Sequence, residues 1–172
     1  MVIREVKEWE LQELLSLYLF LHEKALPEDM EPLSSAWEQI MADPNHHIIV
    51  AEEEGKLVSS CVCVIIPNLT RKGRPYAFIE NVVTHSDYRK RGLAAACLDY
   101  AKSMAEAAGC YKMMLLTGAK DEGTLEFYKK AGYNCKDKTA FIQWLWYYIE
   151  VFNKETFRKN FEKKLSGMFL FE

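Results

Sequence analysis

An α/β (α+β) fold is predicted by three stretches of the chain. Residues 76–108 read as a buried strand, a basic turn around Gly92 and an amphipathic helix. Residues 111–133 repeat the strand-then-helix order, and residues 47–66 read as a strand hairpin. At 172 residues, 49% of them apolar and 27% charged, the chain is long enough for one globular domain with a substantial core.

Taken in order, residues 2–6 read as a first strand and residues 8–23 as a helix. Leu11, Leu14, Leu15, Tyr18 and Leu21 form the apolar face of that helix, which packs on the sheet. A loop begins at Ala25, kept out of helix by Pro27 and Pro32. Ser35 with Glu38 has the spacing of a capping box for a short helix that Pro44 stops. Residues 47–52 and 57–66 are strands joined at Glu54-Gly55, and residues 67–75 form a polar loop. Ala77, Phe78, Ile79, Val82 and Val83 give the next strand its apolar run, interrupted by Glu80 and Asn81. Leu93, Cys97, Tyr100, Met104 and Ala108 then fall at helical spacing ahead of Gly109. Residues 111–117 form a further strand and residues 125–133 a short helix ended by Gly132. Strands are expected again over 133–136 and 139–146. From 147 to 172 an extension places Phe157, Phe161 and Leu165 four apart beside Lys154, Arg158, Lys159, Lys163 and Lys164. It reads as an amphipathic helix packed on its own domain or a sister subunit, with a membrane-surface helix as the alternative. The division expected is 1–146 for the domain and 147–172 for the extension.

The stretch Arg89-Lys90-Arg91-Gly92-Leu93-Ala94 lies where a strand hands over to a helix. Free N–H groups at a helix start, beside the positive end of the macrodipole, hold phosphate when residues without bulk let it approach. Gly92 and Ala94 supply that clearance.

This segment resembles the cofactor-binding motif of the GNAT superfamily of N-acetyltransferases, in which Arg or Gln is followed by two residues, Gly, one residue, then Gly or Ala. Arg89, Gly92 and Ala94 match it. The later strand and the helix with Leu125, Phe127, Tyr128 and Gly132 resemble the second signature of the family, and the order of elements is similar over roughly the first 145 residues. The resemblance implies a mixed, mostly antiparallel central sheet flanked by helices. It also implies acetyl-CoA as acyl donor, its pyrophosphate on Arg89, Lys90, Arg91, Gly92, Leu93 and Ala94, and its pantetheine arm on the strand at Val82 and Val83. In the family a bulge there splays two strands, and an N–H near Val82 would support the developing oxyanion.

Acyl transfer to an amine needs a neutral nucleophile and a proton for the departing thiolate. Glu80, inside an apolar strand, is the candidate base, with partial burial expected to raise its pKa; the other reading is an edge carboxylate in solvent. Tyr128 matches the family's tyrosine in position and is the candidate general acid; otherwise it is a core aromatic. The chain departs from the family at Asp121, where many members carry asparagine. Aspartate there caps the helix, and a cofactor contact is put in doubt.

A net charge of −3 offers no general field for nucleic acid, although Arg71, Lys72, Arg74, Arg89, Lys90 and Arg91 form a local basic cluster in sequence. Five cysteines without framework spacing read as reduced thiols of a cytoplasmic protein. Cys61 and Cys63 share a strand face, but no further Cys or His completes a metal set. His22, His46, His47 and His85 are not spaced as ligands, and His85 is nearest the expected cleft. A ping-pong route through Cys97 or Cys110 stays open on paper. Residues 11–21 carry acidic neighbours and no cleavage pattern, so they read as a helix rather than a signal, and no run is long enough for a bilayer. Together these features predict a cytoplasmic N-acetyltransferase that moves acetyl from acetyl-CoA to a small-molecule or peptide amine by direct attack in a ternary complex, without metal. The acceptor would lie partly against residues 25–34 and against Tyr133, Trp144 and Trp146, and the acidic Glu28, Asp29 and Glu31 suit a cationic one. The alternative is a non-catalytic acetyl-CoA or CoA sensor, and a homodimer stays open.

Overall fold

Alternation of apolar and polar residues builds one sheet, and the computed structural model describes it within residues 1–21, 25–26 and 28–143. Five strands, β1 (Val2–Glu5), β2 (His46–Glu53), β3 (Lys56–Ile66), β4 (Tyr76–Thr84) and β5 (Met113–Leu115), lie side by side in chain order. The first three pairings are antiparallel and β4 pairs with β5 in parallel, so the sheet is mixed and mostly antiparallel. The β2–β3 turn is the one expected. Glu54 and Gly55 both take positive φ, 50° and 78°, the backbone of the two-residue hairpin turn that matches strand twist.

Each face of the sheet carries helices. Helix α3 (Leu93–Ala107) buries Leu93, Cys97, Leu98, Ala101 and Ala105 against Ile49, Cys61, Cys63, Ala77 and Ile79. Helix α4 (Glu122–Lys130) adds Phe127 and Tyr128 to that layer. On the other face α1 (Leu11–Tyr18) and α2 (Glu31–Ala42) place Leu14, Leu17 and Trp37 over Ile48, Val50, Val62 and Val83. Leu17, absent from the expected apolar face, is among its most buried residues. The Trp37 indole donates to Glu8 O at 2.9 Å, tying α2 to the turn that precedes α1. Arg4 bridges Glu10 and Glu52, 2.6 Å from each, and joins β1, that turn and β2.

Several boundaries differ from expectation. Ser35 and Glu38 lie inside α2 and do not cap it. The helix starts at Glu31, where Asp29 Oδ1 accepts the Glu31 N–H at 3.0 Å, and Pro32 occupies the first turn. A proline there loses nothing, because its missing N–H would have no helical partner. The strand expected over 111–117 shortens to β5. The strands expected over 133–136 and 139–143 do not form; these residues are irregular and, apart from Tyr133, exposed. A strand needs a neighbour's ladder to satisfy its backbone, and the described residues bring none to this stretch.

The chain divides into two compact units, residues 1–135 and 136–172. Of the second, only residues 136–143 are described. The expected boundary at 146 and 147, the C-terminal helix with Phe157, Phe161 and Leu165, and Trp144 and Trp146 all lie outside the described residues, as does His22. No helix among the described residues is long and apolar enough to cross a membrane.

Candidate active site

The turn before α3 has the backbone of an anion cradle. Lys90 and Gly92 take left-handed φ, 62° and 79°. Gly92 caps the helix, whose first internal bond runs from Ala96 N–H to Gly92 O at 3.0 Å. The N–H groups of Leu93, Ala94 and Ala95 therefore have no acceptor within the helix. Nothing lies within 4 Å of where a Gly92 Cβ would sit, so the protein leaves that space open. A pyrophosphate fits this chemistry of donors, clearance and positive helix end.

The six cations read together in the sequence divide in space. Arg74 donates to Gly109 O and Cys110 O, each at 3.1 Å, past the C-terminal end of α3, and the Arg71 guanidinium stands 5.7 Å over Tyr111. Arg89, Lys90 and Arg91 precede the other end of a helix about 22 Å long. Arg91 is drawn onto Glu53 at 2.8 Å and over the Tyr88 ring at 5.2 Å. Arg89 Nε donates to Thr84 O at 3.1 Å. Among the described residues no carboxylate pairs with Arg89 or Lys90, and both are exposed beside the turn.

Strand β4 opens where the chemistry was expected. Strand β5 pairs only with Ala77, Phe78 and Ile79, so from Glu80 onward β4 has a neighbour on its β3 side alone. The β3–β4 register shifts there: Ser60 faces Val83 while Val62 faces Glu80. The extra residue in β4 is accommodated at Asn81, with φ of 50°. This is a bulge in which asparagine, the non-glycine residue that tolerates the left-handed region best, stands where glycine is common. Val83 O accepts from Ser59 Oγ at 2.8 Å on the β3 side. Strand alternation then turns the N–H and C=O of Val82 to the open edge.

Glu80 is exposed, which overturns the partial burial expected of it. Its neighbour across the sheet would have been a longer β5. Tyr128 is half-buried against the layer that holds Cys61; burial first, then the charges of Cys61 and Glu80, raise its pKa. The phenol thus stays a neutral donor. Tyr133 meets it edge-on, ring centroids 6.1 Å apart, and its buried hydroxyl has no hydrogen-bond partner among the described residues. Burial raises that phenol too. Asp121 caps α4, accepting the Thr124 N–H at 2.8 Å, which accounts for aspartate at this position. His85 is engaged: Nδ1 accepts the Asp87 N–H at 3.2 Å and its ring lies 4.3 Å from Phe20. Cys97 is fully buried and its thiol is pushed up to about 12, while burial also raises Cys110. Neither is a thiolate nucleophile at neutral pH.

Sequence reading missed Tyr18 and Ser60, whose buried hydroxyls have no hydrogen-bond partner among the described residues, and the left-handed backbone of Asn81. The signal was faint: Tyr18 fitted an apolar helix face and Ser60 a run of small residues. A surface depression of about 570 Å³ bounded by Lys7, Trp9, Glu10, Gln12, Glu13, Ser16, Glu52 and Gly55 includes no residue of β4, the turn or α4. Its walls offer ion pairs already formed, and it lacks the open strand edge.

Comparison with known proteins agrees with this geometry. Residues 9–133 match the Acetyltransferase (GNAT) family. A glucosamine 6-phosphate N-acetyltransferase from Trypanosoma brucei brucei is 34% identical over 84 residues, covering 49% of this chain and 55% of that protein. The chain spans about half the length of the curated relatives it matches. An Agrobacterium tumefaciens protein assigned as an acetyltransferase superposes with a TM-score of 0.79 at 37% identity, covering 84% of this chain and 100% of that one. An acetyltransferase structure from Trypanosoma brucei gives a TM-score of 0.70 at 27% identity over 83% and 99% of the two chains. The match across most of the chain, on a sheet that opens beside a glycine turn, establishes that this protein belongs to the acetyltransferase (GNAT) family, whose acyl donor is acetyl-CoA.

Proposed function

We propose that this protein transfers an acetyl group from acetyl-CoA to the primary amine of a small molecule or peptide, by direct attack in a ternary complex. The observation that carries the reading is the open edge of β4 from Glu80 onward, flanked by Tyr128 and leading to the Gly92 turn.

Acetyl-CoA, when bound, supplies the activated acetyl thioester. The turn from Arg89 to Ala94 holds the pyrophosphate, and Val82 holds the pantetheine arm by backbone hydrogen bonds along the open edge, with Val83 next to it turned to β3. Val82 N–H donates to the carbonyl oxygen as it gains charge. A lysine-like amine is neutral in only about one molecule in a few thousand at pH 7, so a base at hand raises the reactive fraction. Glu80 takes that proton. Its exposure suits exchange with solvent, directly or through water. Tyr128 Oη donates its proton to the departing sulfur. The buried Cys97 leaves no accessible thiol for a covalent acyl-enzyme there, which favours direct attack.

The acidic Glu28, Asp29 and Glu31 between α1 and α2 favour a cationic or neutral acceptor over a phosphorylated one. The relative named for glucosamine 6-phosphate makes that sugar a necessary member of the test. Thiol release from acetyl-CoA would be followed with glucosamine 6-phosphate, glucosamine, polyamines and lysine-bearing peptides. Turnover with an amine and acetylation of its nitrogen by mass spectrometry is the expected result. Tight CoA binding without transfer to any amine would contradict transfer and return the sensor reading.

A further inference from the structure

Arg91 stands between two left-handed residues of the turn, Lys90 with φ of 62° and Gly92 with φ of 79°. Glycine takes that conformation freely, whereas a lysine keeps it where its surroundings hold it. The side chain of Arg91 ties this turn to another strand. Its Nη2 donates to both oxygens of Glu53, at 2.8 Å and 3.1 Å, and its guanidinium lies 5.2 Å over the Tyr88 ring. Tyr88 is fixed in its turn, packed on the apolar layer beneath α3 and edge-on to His85 with ring centroids 5.5 Å apart. Glu53 ends β2 and faces Lys56 across the tight hairpin, so its carboxylate is presented from a firm base.

To reach a phosphate on the turn, Arg91 would have to leave both partners. The Glu53 side chain is 16% exposed and that of Arg91 49%. The carboxylate is the more buried of the two, and among the described residues Arg91 is the one cation paired with it, so departure strands a partly desolvated charge. Arg89 carries no such penalty. Its Nε bond to Thr84 O leaves the two Nη groups for an anion, and among the described residues no carboxylate pairs with it.

We propose that Glu53 and Arg91 form a brace for the turn, with Glu53 as a positioning residue. Arg91 stays on Glu53 when acetyl-CoA binds and holds the N–H groups of Leu93, Ala94 and Ala95 in place, rather than contacting phosphate itself. The effect on the cofactor rests on the pyrophosphate site given to the turn above. The brace itself does not.

This assignment reverses the sign expected from charge alone. A carboxylate near a bound polyanion repels it, so neutralising Glu53 would tighten CoA binding if repulsion were all, and more so if it freed Arg91 for the phosphates. Glu53→Gln keeps the shape and removes the charge. In calorimetric titration with CoA it should weaken binding by about threefold or more. In an Arg91→Gln background the brace is already gone, and the same Glu53→Gln change should leave CoA affinity equal or tighter. Unchanged or tighter binding in Glu53→Gln alone, or equal weakening in both backgrounds, would overturn the proposal. Side-chain nitrogen NMR of the unsubstituted protein is the second measurement, and it carries the test if a variant does not fold. Rotation of the Arg91 guanidinium should be slower than that of Arg89 in the free protein and should stay slow when CoA is added. Free rotation of Arg91, or its release on adding CoA, would overturn the brace. The free-protein spectrum needs no cofactor, so a protein that bound no CoA would remove the cofactor reading and leave the brace to be judged on this spectrum.

Discussion

Tyr128 and Tyr133 meet edge-on and both pack against the layer that holds Cys61 and Cys63. The charge of Glu80 reaches Tyr128, which is the phenol proposed as proton donor. Tyr128→Phe should keep CoA affinity and lower single-turnover transfer by roughly 10²-fold to 10⁴-fold, the usual effect of losing a general acid. The sign of the pH effect follows from the raised pKa. Burial favours the protonated phenol, so the donor survives to higher pH than in an ordinary tyrosine, and an alkaline limb set by Tyr128 falls above about pH 10. A limb near pH 8 that vanished in Tyr128→Phe would contradict this. Cysteines give a second check. Cys135 is exposed and should react first with a thiol reagent, Cys110 slowly, and the buried Cys61, Cys63 and Cys97 only on unfolding. Glu80 stood out in the sequence as a carboxylate inside an apolar strand, and Tyr128 became a candidate through the resemblance to the family. The exposure of Glu80 was not legible, because it depends on where β5 stops beside β4, which sequence alternation does not display.

The β4, turn and α3 unit was readable because its chemistry is local: an apolar run, a glycine that must take positive φ, and a helix that starts at once. Gly92→Glu tests it. The change strains a left-handed position and sets a negative charge where the phosphates belong, so CoA affinity should fall on the order of 100-fold or more while the circular dichroism spectrum is kept. Unchanged affinity in titration calorimetry of the folded variant would place the anion elsewhere. Elements that depend on partners were harder to read. Helix α2 begins four residues before Ser35 because the first turn accepts Pro32 and Asp29 Oδ1 accepts the Glu31 N–H. Strand β5 stops at Leu115, and residues 133–143 make no strand.

At the scale of the molecule, tertiary folding reorganises what composition suggested. Cations adjacent in sequence end up at opposite ends of α3, so only Arg89, Lys90 and Arg91 border the turn, and Glu53 takes up one of these. Two apolar layers, one on each face of the sheet, hold β3 and β4 together at the bulge, while the short β5 leaves the other side of β4 free. The central proposal is that acetyl-CoA lies along that free edge and ends on the Gly92 turn. Amide exchange of the whole chain with and without saturating acetyl-CoA tests it most directly. The account predicts protection concentrated at residues 80–84 and 91–96, a smaller effect on α4 around Tyr128, and none at Lys7, Trp9 and Glu10. Protection confined to that depression between the first turn and β2, with residues 80–96 unchanged, would contradict it.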